Sequence, residues 1–193
     1  QHSQSLEAWF AHIPGLVVVA PSTPADNHGL LLAALASGDP VVYMEHKELW
    51  ASPGPVTPGT MVPLGQARVA REGGDVTIVS WSRQMQACEQ AAEQLAAQGV
   101  QAELIDLRTI WPWDKATVLA SVAKTGRLLV VHEAIRVAGF GAEIAATVAE
   151  QTGAKVARLG APRIPVGYAP TLEAEARVSA DHIVDAALKL ANR

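Results

Sequence analysis

The sequence predicts an α/β fold in which a mostly parallel sheet is covered by helices on both faces. From residue 76 onward, short runs of β-branched and other apolar residues alternate with segments that have helical spacing. Parallel strands need crossover connections, which are usually helices, so this alternation favours repeated strand-helix-strand units. The predicted elements are strands at 76–80, 101–106, 127–132 and 155–159, and helices at 84–97, 115–123, 143–151 and 181–191.

A stretch rich in proline and glycine, residues 50–63, separates this region from the part before it. Proline fixes φ and lacks a backbone N–H, so neither a helix nor a central strand tolerates such a density. We therefore predict three parts: a first unit over residues 1–50, a linker over 51–64 and a larger unit over 65–193. Residues 67–72 come before a Gly-Gly turn signal, which favours a short antiparallel strand at the sheet edge.

The first unit contains the same kinds of element. Residues 5–12 have helical spacing, and a Pro-Gly pair ends that helix before the strand-like run 16–20. Residues 22–26 offer a capping side chain followed by proline, which predicts a helix that continues to Leu35. The Ser-Gly-Asp-Pro sequence at 37–40 then stops the helix, and the next strand covers 41–45.

Composition limits the classes of function. With 193 residues, 49% of them hydrophobic, the chain is long enough to bury a core. A net charge of -4 without a basic stripe argues against nucleic acid as a partner. Apolar runs fall short of the roughly 20 residues that cross a bilayer. The single cysteine, Cys88, and the lack of a signal-peptide pattern favour a cytoplasmic setting, and Gln1 suggests a piece of a longer subunit.

The sequence of residues 1–15 resembles that of one family. It reads Gln-His-Ser-Gln-Ser-Leu-Glu-Ala-Trp-Phe-Ala-His-Ile-Pro-Gly. That family is the beta subunits of thiamine-diphosphate-dependent 2-oxo acid dehydrogenases, of the pyruvate, branched-chain and acetoin types. The likeness continues in order through Pro21-Ser22-Thr23-Pro24-Ala25-Asp26, Asp39-Pro40-Val41-Val42, Val76-Thr77-Ile78-Val79, Ile105-Asp106-Leu107-Arg108-Thr109-Ile110, Thr125-Gly126-Arg127-Leu128-Leu129, His132-Glu133-Ala134 and Gly139-Phe140-Gly141-Ala142-Glu143-Ile144.

The resemblance implies a fold and a composite enzyme. The fold is the end of a thiamine-diphosphate-binding (pyrimidine) domain, followed by a three-layer α/β/α domain like the transketolase C-terminal domain. The implied activity is oxidative decarboxylation of a 2-oxo acid, with acyl transfer to lipoamide on the acyltransferase core. The implied partners are an alpha subunit, a second beta subunit in a heterotetramer, and the subunit-binding domain of the dihydrolipoyl acyltransferase. Thiamine diphosphate and magnesium are shared with the alpha subunit.

Two sets of site residues follow from the resemblance. The family's histidine in this segment falls on His2, which would line the active site near the cofactor and the oxo acid. Acyl transfer to lipoamide needs proton traffic, and histidine titrates near neutrality, so it suits an acid or donor role. The carbonyls that hold a monovalent cation, potassium, in the family fall on Ala34, Ser37 and Asp39, where a helix end leaves carbonyls free.

Other residues that attract attention receive no catalytic role. His132 and Glu133 are predicted at the carboxyl end of a strand, and the glycines at 139–141 open a helix. The dinucleotide fingerprint is missing, so a tight turn plus a subunit interface is the favoured interpretation. His12, His28 and His46 form no metal-ligand spacing, Cys88 is expected to be a packing residue, and Trp111 and Trp113 are expected in the core or an interface.

The sequence departs from the family pattern at several positions. The glutamate that activates the cofactor lies in a region that the sequence does not contain, so no cofactor-binding residue is assigned and the chain alone is expected to be inactive. Ala138 stands in place of the first glycine of a Gly-Gly-Phe, and Trp81 begins an unusual turn. Two alternatives remain: a transketolase or deoxyxylulose-phosphate-synthase fragment, and a noncatalytic module for assembly and dimerisation.

Overall fold

The computed structural model describes residues 3–191, which form two sheets with helices around them. The helices are α1 (Glu7–Ala11), α2 (Pro24–Ala36), α3 (Gln84–Ala97), α4 (Lys115–Thr125), α5 (Gly141–Gln151), α6 (Pro170–Ala174) and α7 (Ala180–Ala191). The strands are β1 (Val17–Val19), β2 (Val41–Tyr43), β3 (Arg68–Arg71), β4 (Val76–Ser80), β5 (Ala102–Asp106), β6 (Thr109–Trp111), β7 (Arg127–Ile135) and β8 (Lys155–Ala161). No helix of this part is long and apolar enough to cross a membrane.

The larger sheet has the strand order β3-β5-β4-β7-β8. Its four later strands run parallel, and β3 pairs antiparallel with β5 at one edge. The prediction of a mostly parallel sheet is therefore confirmed, and so is the antiparallel edge strand. Its partner is β5 rather than the strand that follows it across the Gly-Gly turn, so that turn does not close a hairpin.

Helices cover the larger sheet on both faces. Successive strand residues point to opposite sides of the sheet, and here both sides carry apolar residues that pack against helices. Ile78 faces a buried cluster that includes Met85 of α3 and Ile183 of α7, whereas Val79 faces a second cluster that includes Ile144 of α5. Cys88 lies fully buried in the first cluster, and burial raises the pKa of its thiol to about 12. This confirms the expected packing role of the cysteine.

The smaller sheet has the order β2-β1-β6, and its third strand comes from the second half of the chain. Strands β1 and β2 are parallel, and β6 pairs antiparallel with β1. The sequence did not predict β6, which is only three residues long. The chain therefore leaves the larger sheet at the end of β5 and enters the smaller sheet at Thr109. The segment that contains β5 and β6 thus contributes a strand to each sheet.

Arg108 makes this crossing between the sheets and has a left-handed backbone, with φ of 59°. Its carbonyl accepts a hydrogen bond of 2.8 Å from the N–H of Ala20, just after β1. Its guanidinium donates to Asp26 Oδ1 at 3.0 Å and to the carbonyls of Gln66 and Ala67 at 2.9 and 3.1 Å. A left-handed non-glycine residue costs about 1–2 kcal/mol, which these bonds offset.

Asp106 completes a buried polar cluster around the crossing. It accepts hydrogen bonds from Ser22 Oγ, from Arg68 Nη2 at 3.1 Å and from the N–H of Arg108 at 3.2 Å. Arg68 also lies 3.8 Å from Asp26. We call Ser22, Asp26, Arg68, Asp106 and Arg108 the junction cluster. It joins α2 of the first unit to β3 and β5 of the second.

The segment predicted as a linker contains no helix or strand, as expected. It is nonetheless held against the first unit: the N–H of Val62 donates to the carbonyl of Gly29 at 3.1 Å. A Cβ on Gly29 would come within 2.6 Å of the Val62 side chain, so only glycine permits this approach. Val62 and Leu64 extend the apolar cluster around Leu30.

The raised pKa of Asp106 predicts that the stability of the folded chain depends on pH. Burial raises the pKa of Asp106 from 3.8 to about 6, against the opposing effects of Ser22 and Arg68. Between those values the folded chain keeps a proton that the unfolded chain has released, so the side chain's stabilising contribution is largest below 3.8 and is lost as the pH rises through about 6. The free energy of unfolding of wild type minus that of Asp106→Asn should therefore increase from about pH 7.5 to pH 4.5.

Denaturant titrations of both proteins over this range measure the difference. His132 and the other titrating groups are common to both proteins and cancel to first order in the subtraction. A difference that instead shrinks as the pH falls would show that the ion pair with Arg68 keeps Asp106 charged.

Candidate active site

A cleft of about 360 Å³ lies where the carboxyl ends of the parallel strands of both sheets meet. Ala20 follows β1, Met44 follows β2, Trp81 follows β4 and Glu133 lies in the last part of β7, and all four residues line the cleft. In open α/β sheets the carboxyl ends of parallel strands are where ligands bind. The crossing at Arg108 brings the two sets of strand ends together.

Residues 3–5, which lead into α1, form another part of the cleft wall. His2, the catalytic residue that the sequence predicts, directly precedes them and lies outside the described residues. The structure therefore locates the neighbours of His2 at the cleft and leaves its catalytic role as a prediction.

A chain of ion pairs and hydrogen-bonding side chains crosses the cleft wall. His46 Nε2 lies 3.1 Å from Glu133 Oε2, and Arg83 lies 3.9 Å from Glu133 and 2.8 Å from Glu48. Glu48 also pairs with Arg177. Partial burial alone would raise the pKa of Glu48, but the hydrogen bond from Arg177 and the nearby cations outweigh it and lower that pKa. These pairs tie the end of the first unit to three separate segments of the second.

His46 was assigned no chemistry from the sequence, yet it lines the cleft. Its Nδ1 accepts the N–H of Glu48 at 3.2 Å, and its Nε2 faces Glu133. This arrangement assigns the proton of a neutral ring to Nε2. Both nitrogens are engaged, so His46 orients the residues around it instead of offering a free base. Its partner Glu133 is distant in sequence, and a single sequence contains no signal of that pairing.

Glu7 and Trp81 meet at the buried end of the cleft. The indole Nε1 of Trp81 donates to Glu7 Oε1 at 3.0 Å, and only 4% of Glu7 and 3% of Trp81 are exposed. Burial raises the pKa of Glu7 above its usual range, although its hydrogen bonds oppose the shift. A buried carboxyl beside a cleft was not predicted, because the helical spacing of residues 5–12 did not show which side faces inward.

His132 lies within β7 and faces the interior, instead of ending a strand at the cleft as the sequence suggested. Its ring stacks on Trp81 with centroids 5.4 Å apart, and Nδ1 lies 3.0 Å from the carbonyl of Ala134. A Cβ on Gly139, Gly141 or Gly160 would approach the His132 ring within 2.8 Å. The glycines therefore permit a packed turn, and burial lowers the pKa of His132 to about 4.

The residues proposed for the cation lie at the exposed end of α2, away from the cleft lining. The carbonyl of Ala34 accepts the N–H of Ser37 at 3.2 Å, and Ser37 Oγ accepts the N–H of Asp39 at 3.1 Å. A carbonyl has two lone pairs, so this bond leaves Ala34 able to contact a cation. The described residues contain no group of three or more His, Cys, Asp or Glu side chains arranged for a metal ion.

The remaining candidates lie elsewhere. Trp113 is buried in the core, as expected, and Trp111 is part of β6. His28 Nε2 accepts the N–H of Gly59 at 3.1 Å, and His28 does not line the cleft. None of these residues contributes to the candidate site.

The fold is that of an α/β protein with two sheets and a cleft where the carboxyl ends of their parallel strands meet. The family model described as "Transketolase, C-terminal domain" matches residues 65–183, more than half of the chain, and "Transketolase, pyrimidine binding domain" matches residues 1–52. The chain therefore belongs to the transketolase C-terminal domain family.

The most similar curated proteins include three kinds of beta subunit. The acetoin:2,6-dichlorophenolindophenol oxidoreductase subunit beta of Cupriavidus necator is 44% identical over 98% of this chain and 57% of its own length. The 2-oxoisovalerate dehydrogenase subunit beta of Chaetomium thermophilum is 53% identical over 83% of this chain and 35% of its own length. The pyruvate dehydrogenase E1 component subunit beta-2 of Oryza sativa is 41% identical over 100% of this chain and 54% of its own length. The chain spans about half the length of such relatives, and the resemblance to beta subunits is confirmed.

A solved structure described as a split gene transketolase, inactive beta4 tetramer, superposes with a TM-score of 0.85. It is 23% identical and covers 96% of this chain and 61% of that chain, so it shows the fold alone. The predicted fold class is confirmed. The relatives favour the beta-subunit interpretation over a transketolase fragment, since their identities to this chain are far higher.

Three glycines, Gly139, Gly141 and Gly160, pack against the His132 ring, so adding a methyl group at one of them should destabilise the fold. Gly141→Ala would place a Cβ 2.7 Å from the imidazole, and the surrounding core leaves no room for the ring to move. We expect a loss of about 1–3 kcal/mol in the free energy of unfolding, as for other overpacked cores.

Gly153→Ala is the matched control because its Cβ would meet no atom within 4 Å. Urea titration of both variants measures the effect. Equal stability of Gly141→Ala and Gly153→Ala would contradict the packing described for His132.

Proposed function

We propose that the chain is part of the beta subunit of a thiamine-diphosphate-dependent 2-oxo acid dehydrogenase. The observation that carries the proposal is the identity of 41–53% to beta subunits of the pyruvate, 2-oxoisovalerate and acetoin enzymes. The cleft at the carboxyl ends of both sheets supports it, because residues 3–5 beside His2 form part of its wall. The reaction is oxidative decarboxylation of a 2-oxo acid and transfer of the acyl group to lipoamide.

In this proposal, His2 serves as the acid or hydrogen-bond donor of the active site. The acyl group forms a bond to one sulfur of the dithiolane, the S–S bond breaks, and the other sulfur takes up a proton that an imidazole near neutrality can supply. Thiamine diphosphate, when bound, supplies the electron sink for the carbanion. This chain's part is to position the proton donor and to form one wall of the site.

The rest of the site belongs to partners. The alpha subunit holds the diphosphate and its magnesium ion, and two alpha and two beta chains form the working heterotetramer in the cytoplasm. Residues 1–50 end the pyrimidine-binding domain, 51–64 connect, and 65–193 form the domain that pairs with a second beta subunit and docks the acyltransferase's subunit-binding domain. Potassium binds the carbonyls of Ala34, Ser37 and Asp39 and stabilises the end of α2.

Turnover of the intact enzyme tests the proposal. The full-length subunit, co-purified with its alpha subunit and supplied with thiamine diphosphate and magnesium, should process pyruvate, a branched-chain oxo acid or acetoin. His2→Ala should lower reductive acylation of a lipoyl domain at least about 100-fold, because a positioned acid contributes that much. His12→Ala, which changes a histidine outside the cleft lining, is the matched control.

The acylation rate for each substrate is the measurement, and the substrate that turns over fastest names the enzyme. A complex that binds the cofactor and its partners but processes none of the three substrates would contradict the proposal and favour a noncatalytic assembly module.

A further inference from the structure

We propose that Trp81 and Glu7 are positioning residues, whose hydrogen bond holds residues 3–5 in place at the wall of the cleft. The inference rests on the proposed function, since it concerns the segment that carries the proposed proton donor. It adds two residues from opposite units of the chain to that site.

Trp81 is a rigid donor. Its indole stacks on His132 with an interplanar angle of 25° and meets Phe140 edge-on, with centroids 6.4 Å apart. His132 is in turn confined by three glycines and held by the carbonyl of Ala134. The core of the larger unit therefore fixes the direction of the Trp81 N–H.

Helix α1 depends on contacts of this kind. It is five residues long, far below the length at which an isolated helix is stable, and its N-cap Leu6 makes no side-chain capping bond. Apolar contacts of Ala8 and Phe10 hold the helix against the second cluster, but such contacts are not directional. The bond from Trp81 reaches Glu7 in the first turn, next to residues 3–5, and sets the helix's rotation and the exit of that segment.

A carboxyl buried at this place is a poor choice for stability alone. Removing a carboxyl from water costs several kcal/mol, and one neutral N–H donor returns only part of that amount. Buried polar pairs of this type contribute orientation more readily than stability. The pair is thus suited to fix where the segment enters the cleft.

Four variants of the full-length subunit, assembled with its alpha subunit, test the inference. Trp81→Phe removes the donor and keeps a ring, Glu7→Met removes the acceptor at similar size, and Glu7→Gln keeps an accepting oxygen. The double variant combines Trp81→Phe with Glu7→Met and so removes donor and acceptor together. Trp113→Phe is the matched control, because this buried indole N–H has no hydrogen-bond partner among the described residues.

We expect kcat/KM for the oxo acid, measured with a small electron-accepting dye, to fall roughly tenfold in Trp81→Phe and in Glu7→Met, since small misplacements near a reacting centre are costly. Glu7→Gln and Trp113→Phe should stay near wild type. The double variant should regain the stability of wild type, because no buried group is left unpaired, yet keep the low kcat/KM. Amide exchange at residues 3–9 should be roughly tenfold faster wherever the bond is lost.

Recovery of kcat/KM together with stability in the double variant would reduce the pair to a structural role and overturn the inference. Unchanged amide exchange at residues 3–9 in Trp81→Phe would overturn it as well. If wild type itself shows no turnover, the proposed function fails, and the exchange measurement alone decides whether Trp81 and Glu7 hold the segment.

Discussion

The fold depends on one constraint: the chain must cross from the larger sheet to the smaller sheet at Arg108. The backbone there is left-handed, the carbonyl binds the end of β1, and the guanidinium binds Asp26 in α2. Asp106 on the preceding strand holds Ser22 and Arg68. A buried cluster of this kind adds little net stability, but removing one of its charged members leaves a partner charge unpaired, and we infer that it favours a single arrangement of the two units.

The cleft follows from that arrangement. Once β6 is paired with β1, the carboxyl ends of β1 and β2 must face those of β4 and β7. The ion pair of Glu48 with Arg177 and the contact of Glu133 with His46 then close the wall, and partly exposed pairs of this kind add little stability individually. Residues 3–5, which lead into α1 and line the cleft, thereby lie beside a core that belongs to the second unit.

The sequence predicted elements with strong periodicity and missed what depends on distant partners. Strand β4 and helix α3 were placed at their observed bounds, because long apolar patterns decide them. Strand β6 was missed because it is only three residues long, so Thr, Ile and Trp, although they favour strands, are too few to show an alternating pattern. His46 and Glu7 were missed as cleft residues because the position of each depends on a partner more than 70 positions away in the sequence.

Native-state amide exchange of the subunit tests the central claim, that the junction cluster makes the two units one cooperative body. The amides of Val18 and Ala20 in the smaller sheet should open with the same free energy as those of Ile78 and Leu129 in the larger sheet, since each residue is buried and lies in a paired strand or directly after one. In Arg108→Met the smaller sheet should open first, at a free energy lower by about 3 kcal/mol, the amount typical of a broken buried pair. Early opening of the smaller sheet in wild type, or no change on substitution, would contradict the claim.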